Sequence, residues 1–315
     1  MAERTGTRAL VRSMRHEADG IVSLTLEPTG SDELTAWAPG AHIDITVGDG
    51  TTRQYSLCGS PSADHYQVAV LREEVGRGGS EYIHGALRVG QVVELGGPRN
   101  HFALEAAPEY VFVAGGIGIT PLMPMIAELT RTATPWHLYY YGRSRTTMAF
   151  MRELDAYGDS VTVIAKDEDT RLPAADVVAA ANAGSLIYVC GPIRLIDDVR
   201  VGASSAGLEV RAELFAAPEA ADDAAPAEGF TVRLTQSDME LVVPPDRSIL
   251  DVVLEAGIDV LHDCAEGICG SCETAVTAGV PDHRDYVLTD REKADNNCMM
   301  ICVSRTSCPV LELSL

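Results

Sequence analysis

The sequence predicts a multidomain chain: an antiparallel β-barrel over residues 1–106, an α/β domain with a parallel sheet over 107–215, and a small α+β domain over 230–315. Three observations predict this. The first hundred residues carry short apolar runs at near-regular spacing, divided by Gly and Pro. The next hundred alternate strand-like and helix-like segments, the pattern of a parallel sheet covered by helices. Then AAPEAADDAAPAEG (216–229), built of Ala, Pro and acids with no hydrophobic period, reads as an extended linker. At 315 residues the chain fits two or three domains rather than one.

In the barrel segment the strand candidates are IVSLTLEP, HIDITVG, RQYSLCGS, YQVAVLRE and VVELGGP. In the α/β segment they are YVFVA (110–114), WHLYYYG, SVTVIA and SLIYVCG, with helices at PAADVVAAANA and IRLIDDVRVGA. A further helix follows GGIGIT, with Pro121 in its first turn, where a missing N–H costs little. Past the linker, FTVRLTQ and MELVV alternate as paired half-buried strands do. RSILDVVLEAG then sets Ile249, Leu250, Val253 and Leu254 on one helical face, with Gly257 just beyond its end.

Composition excludes several functions. A formal net charge of −22 opposes a nucleic-acid partner, because neutralising phosphates needs the opposite sign. The stretch Tyr110–Ala127 lacks charge but holds Gly115, Gly116, Gly118, Pro121 and Pro124, which suit a strand, loop and helix rather than a membrane span. The N-terminus is too polar for a secretory h-region, so a cytoplasmic protein is expected. Eight cysteines in such a chain point to ligands and buried small hydrophobes rather than structural disulfides.

The chemistry concentrates in three places. Cys264, Cys269 and Cys272 have the spacing C-x4-C-x2-C, and Cys302 lies farther on, the plant-type [2Fe–2S] pattern. Gly267, Gly270 and Ser271 let the backbone wrap closely and aim N–H groups at the sulfurs. A zinc ribbon would want a second C-x2-C knuckle, and a Rieske centre two histidines, where only His262 adjoins the loop. Cys298 rivals Cys302 as fourth ligand; Cys302 is favoured because it sits in an apolar, strand-like run. In the α/β segment, Gly115, Gly116 and Gly118 allow close backbone approach ahead of a helix start that suits a pyrophosphate. Cys190, Gly191 and Pro192 end a strand at the carboxyl edge of the sheet, where ligands bind. In the barrel segment, Arg53 and the glycine-rich GRGGS (76–80) make a phosphate site, and Tyr55 covers the face of an aromatic cofactor.

RQYS, GRGGS, AGGIGITP, CGP, ELF and the cysteine pattern occur in the order seen in phthalate dioxygenase reductase. The chain resembles that family, which includes vanillate O-demethylase reductase, along essentially its whole length. DHRDYVLTDREK (282–293) and MICVSR (300–305) also look like family sequence. The resemblance implies a flavin reductase of the ferredoxin-NADP⁺ reductase superfamily. The segments become an FMN-binding barrel, an NAD-binding α/β domain and a β-grasp-like plant-type ferredoxin domain. It implies that Arg53, Tyr55 and Ser56 line the flavin, with Ser56 near the reactive nitrogen, and that Arg72, Arg77, Gly78, Gly79 and Ser80 hold its phosphate and ribityl chain. Thr120 and the glycines before it match the nicotinamide nucleotide site, and Cys190 the position beside the nicotinamide ring. Glu213 and Phe215 match an acidic and an aromatic residue at the flavin. The family mostly uses NADH, yet Arg143 and Arg145 lie where the adenosine ribose is expected and suit a 2′-phosphate, so NADPH is the alternative donor.

The implied function is the reductase component of a two-component Rieske-type oxygenase, passing electrons from NADH through FMN to the cluster and on to a terminal oxygenase. Plant-type clusters lie near about −400 mV and Rieske centres at roughly −150 to +300 mV, so that transfer runs downhill. A cytochrome P450 acceptor is the alternative. Intact RQYS, AGGIGITP and CGP argue against a carrier without nucleotide turnover.

Overall fold

The structure, a computed structural model, describes residues 7–30, 33–48, 50–73, 78–168, 171–215, 229–262, 264–288 and 290–315. The linker at 216–229 lies outside the described residues except for Gly229. Two compact units are present, Met1–Glu213 and Leu214–Leu315.

The first unit begins with six antiparallel strands: β1 (Thr7–Ala18), β2 (Ile21–Pro28), β3 (His42–Val47), β4 (Thr51–Ser56), β5 (Tyr66–Leu71) and β6 (Val92–Arg99). Their order is β4-β3-β6-β1-β2-β5, and an antiparallel bridge from Leu57 to Val68 closes the barrel. Val11, Leu24, Leu26, Ile43, Ile45, Val68 and Val70 fill its interior. Helix α1 (Gly79–Gly85) lies between β5 and β6. Strand β1 is absent from the sequence-based strand candidates. Arg12, Arg15, His16 and Glu17 mask its period, and only Ala9, Val11 and Ala18 are fully buried. It forms because β2 and β6 supply hydrogen-bond partners on either side.

The same unit continues as a wholly parallel sheet, in the order β11-β10-β7-β8-β9. Its strands are β7 (Tyr110–Gly115), β8 (Trp136–Gly142), β9 (Val161–Ala165), β10 (Leu186–Cys190) and β11 (Glu209–Glu213). Helices α2 (Leu122–Arg131), α3 (Met151–Leu154), α4 (Ala174–Ala179) and α5 (Ile193–Ala206) connect them. Edge strand β11, EVRAE, has no apolar run to announce it. Pro121 stands at the N-cap of α2, and a 3₁₀ turn (Gly116–Ile119) separates that helix from β7, so the glycine loop does not run straight into the helix.

Barrel and sheet share one apolar core. Ala18, Ile21, Cys58, Ala69 and Phe102 from the barrel side pack with Phe112, Met125, Leu138, Tyr140 and Tyr188. Arg15 adds a polar tie, donating to both carboxylate oxygens of Glu17 at 2.7 and 2.8 Å and to Glu153 of α3 at 2.5 Å. Gly40 sits in this seam with φ +93°, and a Cβ there would lie 2.0 Å from the Phe102 carbonyl oxygen.

The second unit is a β-grasp-like α+β fold. Strands β12 (Phe230–Leu234), β13 (Met239–Val243), β14 (Glu273–Ala278), β16 (Cys298–Met300) and β18 (Val310–Leu313) lie in the order β13-β12-β18-β14-β16, with β12 and β18 parallel. A ribbon of β15 (Pro281–Asp282) and β17 (Arg305–Thr306), together with α7 (Asp290–Asp295), completes it. Helix α6 (Ile249–Glu255) buries Ile249, Leu250 and Val253 in the core with Val232, Leu234, Leu311 and Leu313. A reciprocal cap starts the helix: Ser248 Oγ accepts from the Asp251 N–H at 3.0 Å, and Asp251 Oδ2 accepts from the Ser248 N–H at 3.2 Å. Among the described residues no helix is long and apolar enough to cross a membrane.

Gly40→Ala should destabilise the first unit by about 1–3 kcal/mol, through overpacking against backbone and a left-handed φ. Denaturant unfolding followed by far-UV circular dichroism will show that transition at lower midpoint. The absorbance of the iron–sulfur unit should fade at its wild-type midpoint.

Candidate active site and iron–sulfur loop

The carboxyl edge of the parallel sheet is built by backbone contact. The 3₁₀ turn after β7 lies so close to the end of β10 that a Cβ on Gly118 would stand 2.2 Å from the Cys190 carbonyl oxygen. A Cβ on Gly115 would meet Pro192 Cδ at 2.7 Å, and one on Gly191 the Gly115 Cα at 2.9 Å. Two of the three loop glycines therefore serve the packing of one turn on the other. Gly116 is the open one, with no atom within 4 Å of its Cβ position. Thr120 is buried, and its hydroxyl donates to the Ile117 carbonyl at 2.9 Å, which fixes the turn.

Parallel register sets Glu213 of β11 beside Cys190 of β10. The Cys190 thiol lies 4.0 Å from Glu213 Oε2, and Ser56 Oγ, from β4 of the barrel, donates to the same oxygen at 3.4 Å. Ser56, Cys190 and Glu213 thus converge, although 157 residues separate the first from the last. Glu213 keeps part of its surface open, but burial of its carboxyl raises the pKa to about 8, against a smaller lowering by the Ser56 hydrogen bond. Burial, and then the neighbouring Glu213, push Cys190 well above the ordinary thiol value. Both groups are therefore neutral near pH 7. Phe215 is 43% exposed and belongs to the second unit.

On the barrel, Arg53 lies across the start of α1, where a Cβ on Gly79 would meet its Cγ at 2.4 Å. Gly78 caps that helix with φ 82° and open space around its Cβ position. Ser80 Oγ accepts from the Glu73 N–H at 3.2 Å. Arg72 is exposed and 3.9 Å from Glu81. Tyr55 is half-buried, and burial raises its phenol to about 12. Arg77 lies outside the described residues. One feature escaped sequence reading: His42 is directly opposite both Ser56 and Arg99 in the sheet register. It is buried, with Nε2 lacking a partner among the described residues, and burial lowers it to about 4. Only the register reveals it. Arg143, just past β8, is exposed, whereas Arg145 donates to Glu168 at 2.6 Å.

In the second unit the four predicted ligands form two sulfur pairs. Cys264 is hydrogen-bonded to Cys269, and Cys302 to Cys272. Among the described residues no three His, Cys, Asp or Glu side chains gather as a site for a single ion. Two pairs suit two metal ions rather than one. The donor set fits the rest of the requirement: the Glu266 and Ile268 N–H groups are hydrogen-bonded to Cys264, and the Gly267 N–H to Cys302. The hydrogen bond from Cys264 draws the Cys269 thiol below the ordinary thiol value. Cys302 lies in the turn after β16, not in a strand; Cys298 is the cysteine on the strand, opposite Ala275. The choice of Cys302 rests on its pairing with Cys272, not on a strand position.

A barrel and parallel sheet closing over one polar constellation, with a paired-thiol loop in a β-grasp-like unit, define a modular electron-transfer reductase. A family model for the 2Fe-2S iron-sulfur cluster binding domain matches residues 232–307. The chain is 42% identical over 311 residues to phenoxybenzoate dioxygenase subunit beta of Ectopseudomonas oleovorans, covering 97% of this chain and 96% of that protein. Phthalate dioxygenase reductase superposes with a TM-score of 0.70 at 34% identity, covering 99% of each chain. An intact type IV self-sufficient cytochrome P450 monooxygenase superposes at 0.90 with 39% identity, over 98% of this chain and 41% of the P450 chain. This chain thus spans about two fifths of that P450's length. The chain belongs to the phthalate dioxygenase reductase family. It is an oxidoreductase of FMN, a [2Fe–2S] cluster and a pyridine nucleotide, NADH or NADPH.

Cys302→Ser should abolish the cluster's visible absorbance and iron content, whereas Cys298→Ser should retain both; the reverse pattern would exchange their roles. A second expectation concerns pH. The folded protein holds the Glu213 proton more tightly than the unfolded chain, so this group's contribution is fully present at low pH and is lost as pH rises through about 8. Urea unfolding at a series of pH values should show wild-type stability falling relative to Glu213→Gln between about pH 5 and 8.

Proposed function

We propose that this chain is the reductase component of a two-component Rieske-type oxygenase of the aromatic dioxygenase or O-demethylase class. It takes electrons from NADH and passes them through FMN and its own cluster to the terminal oxygenase. The observation that carries the reading is the presence in one chain of the Ser56–Glu213–Cys190 constellation and the two sulfur pairs. The flavin, when bound, accepts electrons as a pair and releases them singly, which a nicotinamide donor and a [2Fe–2S] acceptor require.

In this reading residues 1–106 hold FMN, 107–215 the nicotinamide nucleotide and 230–315 the cluster. Helix α1 has seven residues, so its dipole is short, and the positive charge for the FMN phosphate comes from Arg53, Arg72 and Arg77, with Gly78, Gly79 and Ser80 shaping the turn. Tyr55 covers the ring face. Glu213 holds a proton on its carboxyl beside the reacting edge while its Oε2 accepts from Ser56, and Cys190 supplies a neutral, polarizable wall. Hydride transfer needs orientation more than acid–base help, and two neutral groups leave the nicotinamide free to stack. Gly116, Thr120, Gly191 and Pro192 shape the nucleotide's turn. Cys264, Cys269, Cys272 and Cys302 hold the cluster.

A P450 acceptor is the second reading, favoured by the TM-score of 0.90 to the P450 fusion. Purified protein should show flavin and [2Fe–2S] absorbance that anaerobic NADH bleaches. The reduced protein should then reduce a Rieske oxygenase faster than a P450 in stopped-flow mixing; preference for the P450 would reverse the two readings. NADH should be the better donor to an artificial acceptor. Arg143→Ala should lower kcat/KM for NADPH by about tenfold, the loss of one charge-assisted phosphate contact, and leave NADH turnover nearly unchanged.

A further inference from the structure

A buried carboxylate stands behind the cysteine loop, in the stretch DHRDYVLTDREK that supplies no ligand. Asp285 is 2% exposed. Its Oδ2 accepts from the Val287 and Leu288 N–H groups at 3.1 and 2.8 Å. Its Oδ1 accepts from Ser304 Oγ at 3.5 Å, and Ser304 follows the ligand Cys302 by two residues. The segment also touches the loop directly. The Tyr286 N–H donates to the Gly267 carbonyl at 2.9 Å, and a Cβ on Gly267 would lie 3.3 Å from Asp285 Cα. Gly267 in turn gives its N–H to Cys302.

Two basic side chains face the carboxylate. Lys293 of α7 places Nζ 4.0 Å from Oδ2 and donates to the Asp285 carbonyl at 2.6 Å. His283 Nδ1 lies 3.7 Å from Oδ1. Lys293 reaches partly into solvent, whereas the Asp285 side chain has no exposed surface.

We propose that Asp285 and Lys293 are positioning residues that set the reduction potential of the cluster in opposite directions. The inference rests on the [2Fe–2S] reading of this unit. Reduction adds one electron to an already anionic group. A fixed negative charge in low-dielectric surroundings one hydrogen-bonded residue away from the loop disfavours that electron, and a nearby cation favours it. The carboxylate's backbone and serine donors hold it in place, so its field does not relax when the electron arrives. A purely structural role would give no such pair of opposite signs.

The test uses the full-length holoprotein in an anaerobic redox titration, with the cluster followed by electron paramagnetic resonance. Asp285→Asn keeps an oxygen acceptor for the turn and removes the charge; its midpoint should move to more positive potential. Lys293→Gln should move it to more negative potential. Both variants should keep wild-type iron content and resonance line shape, and the double variant should lie near wild type. Unchanged potentials, shifts of the same sign, or loss of the cluster in Asp285→Asn would overturn the proposal. A wild-type protein that binds no iron would instead sink the [2Fe–2S] reading itself.

Discussion

The contact between two turns at the carboxyl edge of the parallel sheet governs the rest of the first unit. Gly118 can approach the Cys190 carbonyl, and Gly115 the Gly191–Pro192 turn, only because none of these glycines has a side chain. That approach fixes the end of β10, and parallel register then fixes Glu213 on β11 beside it. The barrel has to be held equally firmly for Ser56 to reach the same carboxylate. The shared core of Ile21, Cys58 and Phe102 with Phe112, Met125 and Tyr188 does so without a flexible joint. Interiors packed at this density transmit small displacements, so a 3.4 Å hydrogen bond across the seam persists only if the seam does.

The two units treat charge in opposite ways. At the Ser56 constellation burial favours the protonated forms of both Glu213 and Cys190. In the cysteine loop the backbone turns its N–H groups inward, and one sulfur of the first pair is drawn towards the thiolate. The same physical cause, exclusion of water, gives contrary results because the second site supplies several donors and the first only the Ser56 hydroxyl, too weak to offset burial. Over the whole chain the net charge of −22 leaves an acidic molecule whose sign opposes nucleic-acid binding.

Much of this was legible in order along the chain. Spacing alone carried C-x4-C-x2-C, because three of the four ligands in the plant-type pattern share one short loop. Periodicity carried five of the six barrel strands and four of the five parallel strands, but in the second unit only β12 and β13 of the larger sheet. It failed at β1 and β11, where charged residues fill the exposed positions and tertiary neighbours supply the hydrogen bonds. The apolar run around Cys302 suggested a strand, but the strand holds Cys298 and the turn after it holds Cys302.

By itself, then, the sequence determined the three-part architecture, the cysteine loop and the glycine-rich turns, all of which depend on neighbours within a few residues. Tertiary structure alone decided that Ser56 meets Glu213, that His42 lies opposite Ser56, that Cys302 pairs with Cys272, and that Asp285 stands behind the loop. Those contacts join residues far apart in the chain. Local propensity is blind to them, because only strand register and core packing bring such groups within hydrogen-bonding distance.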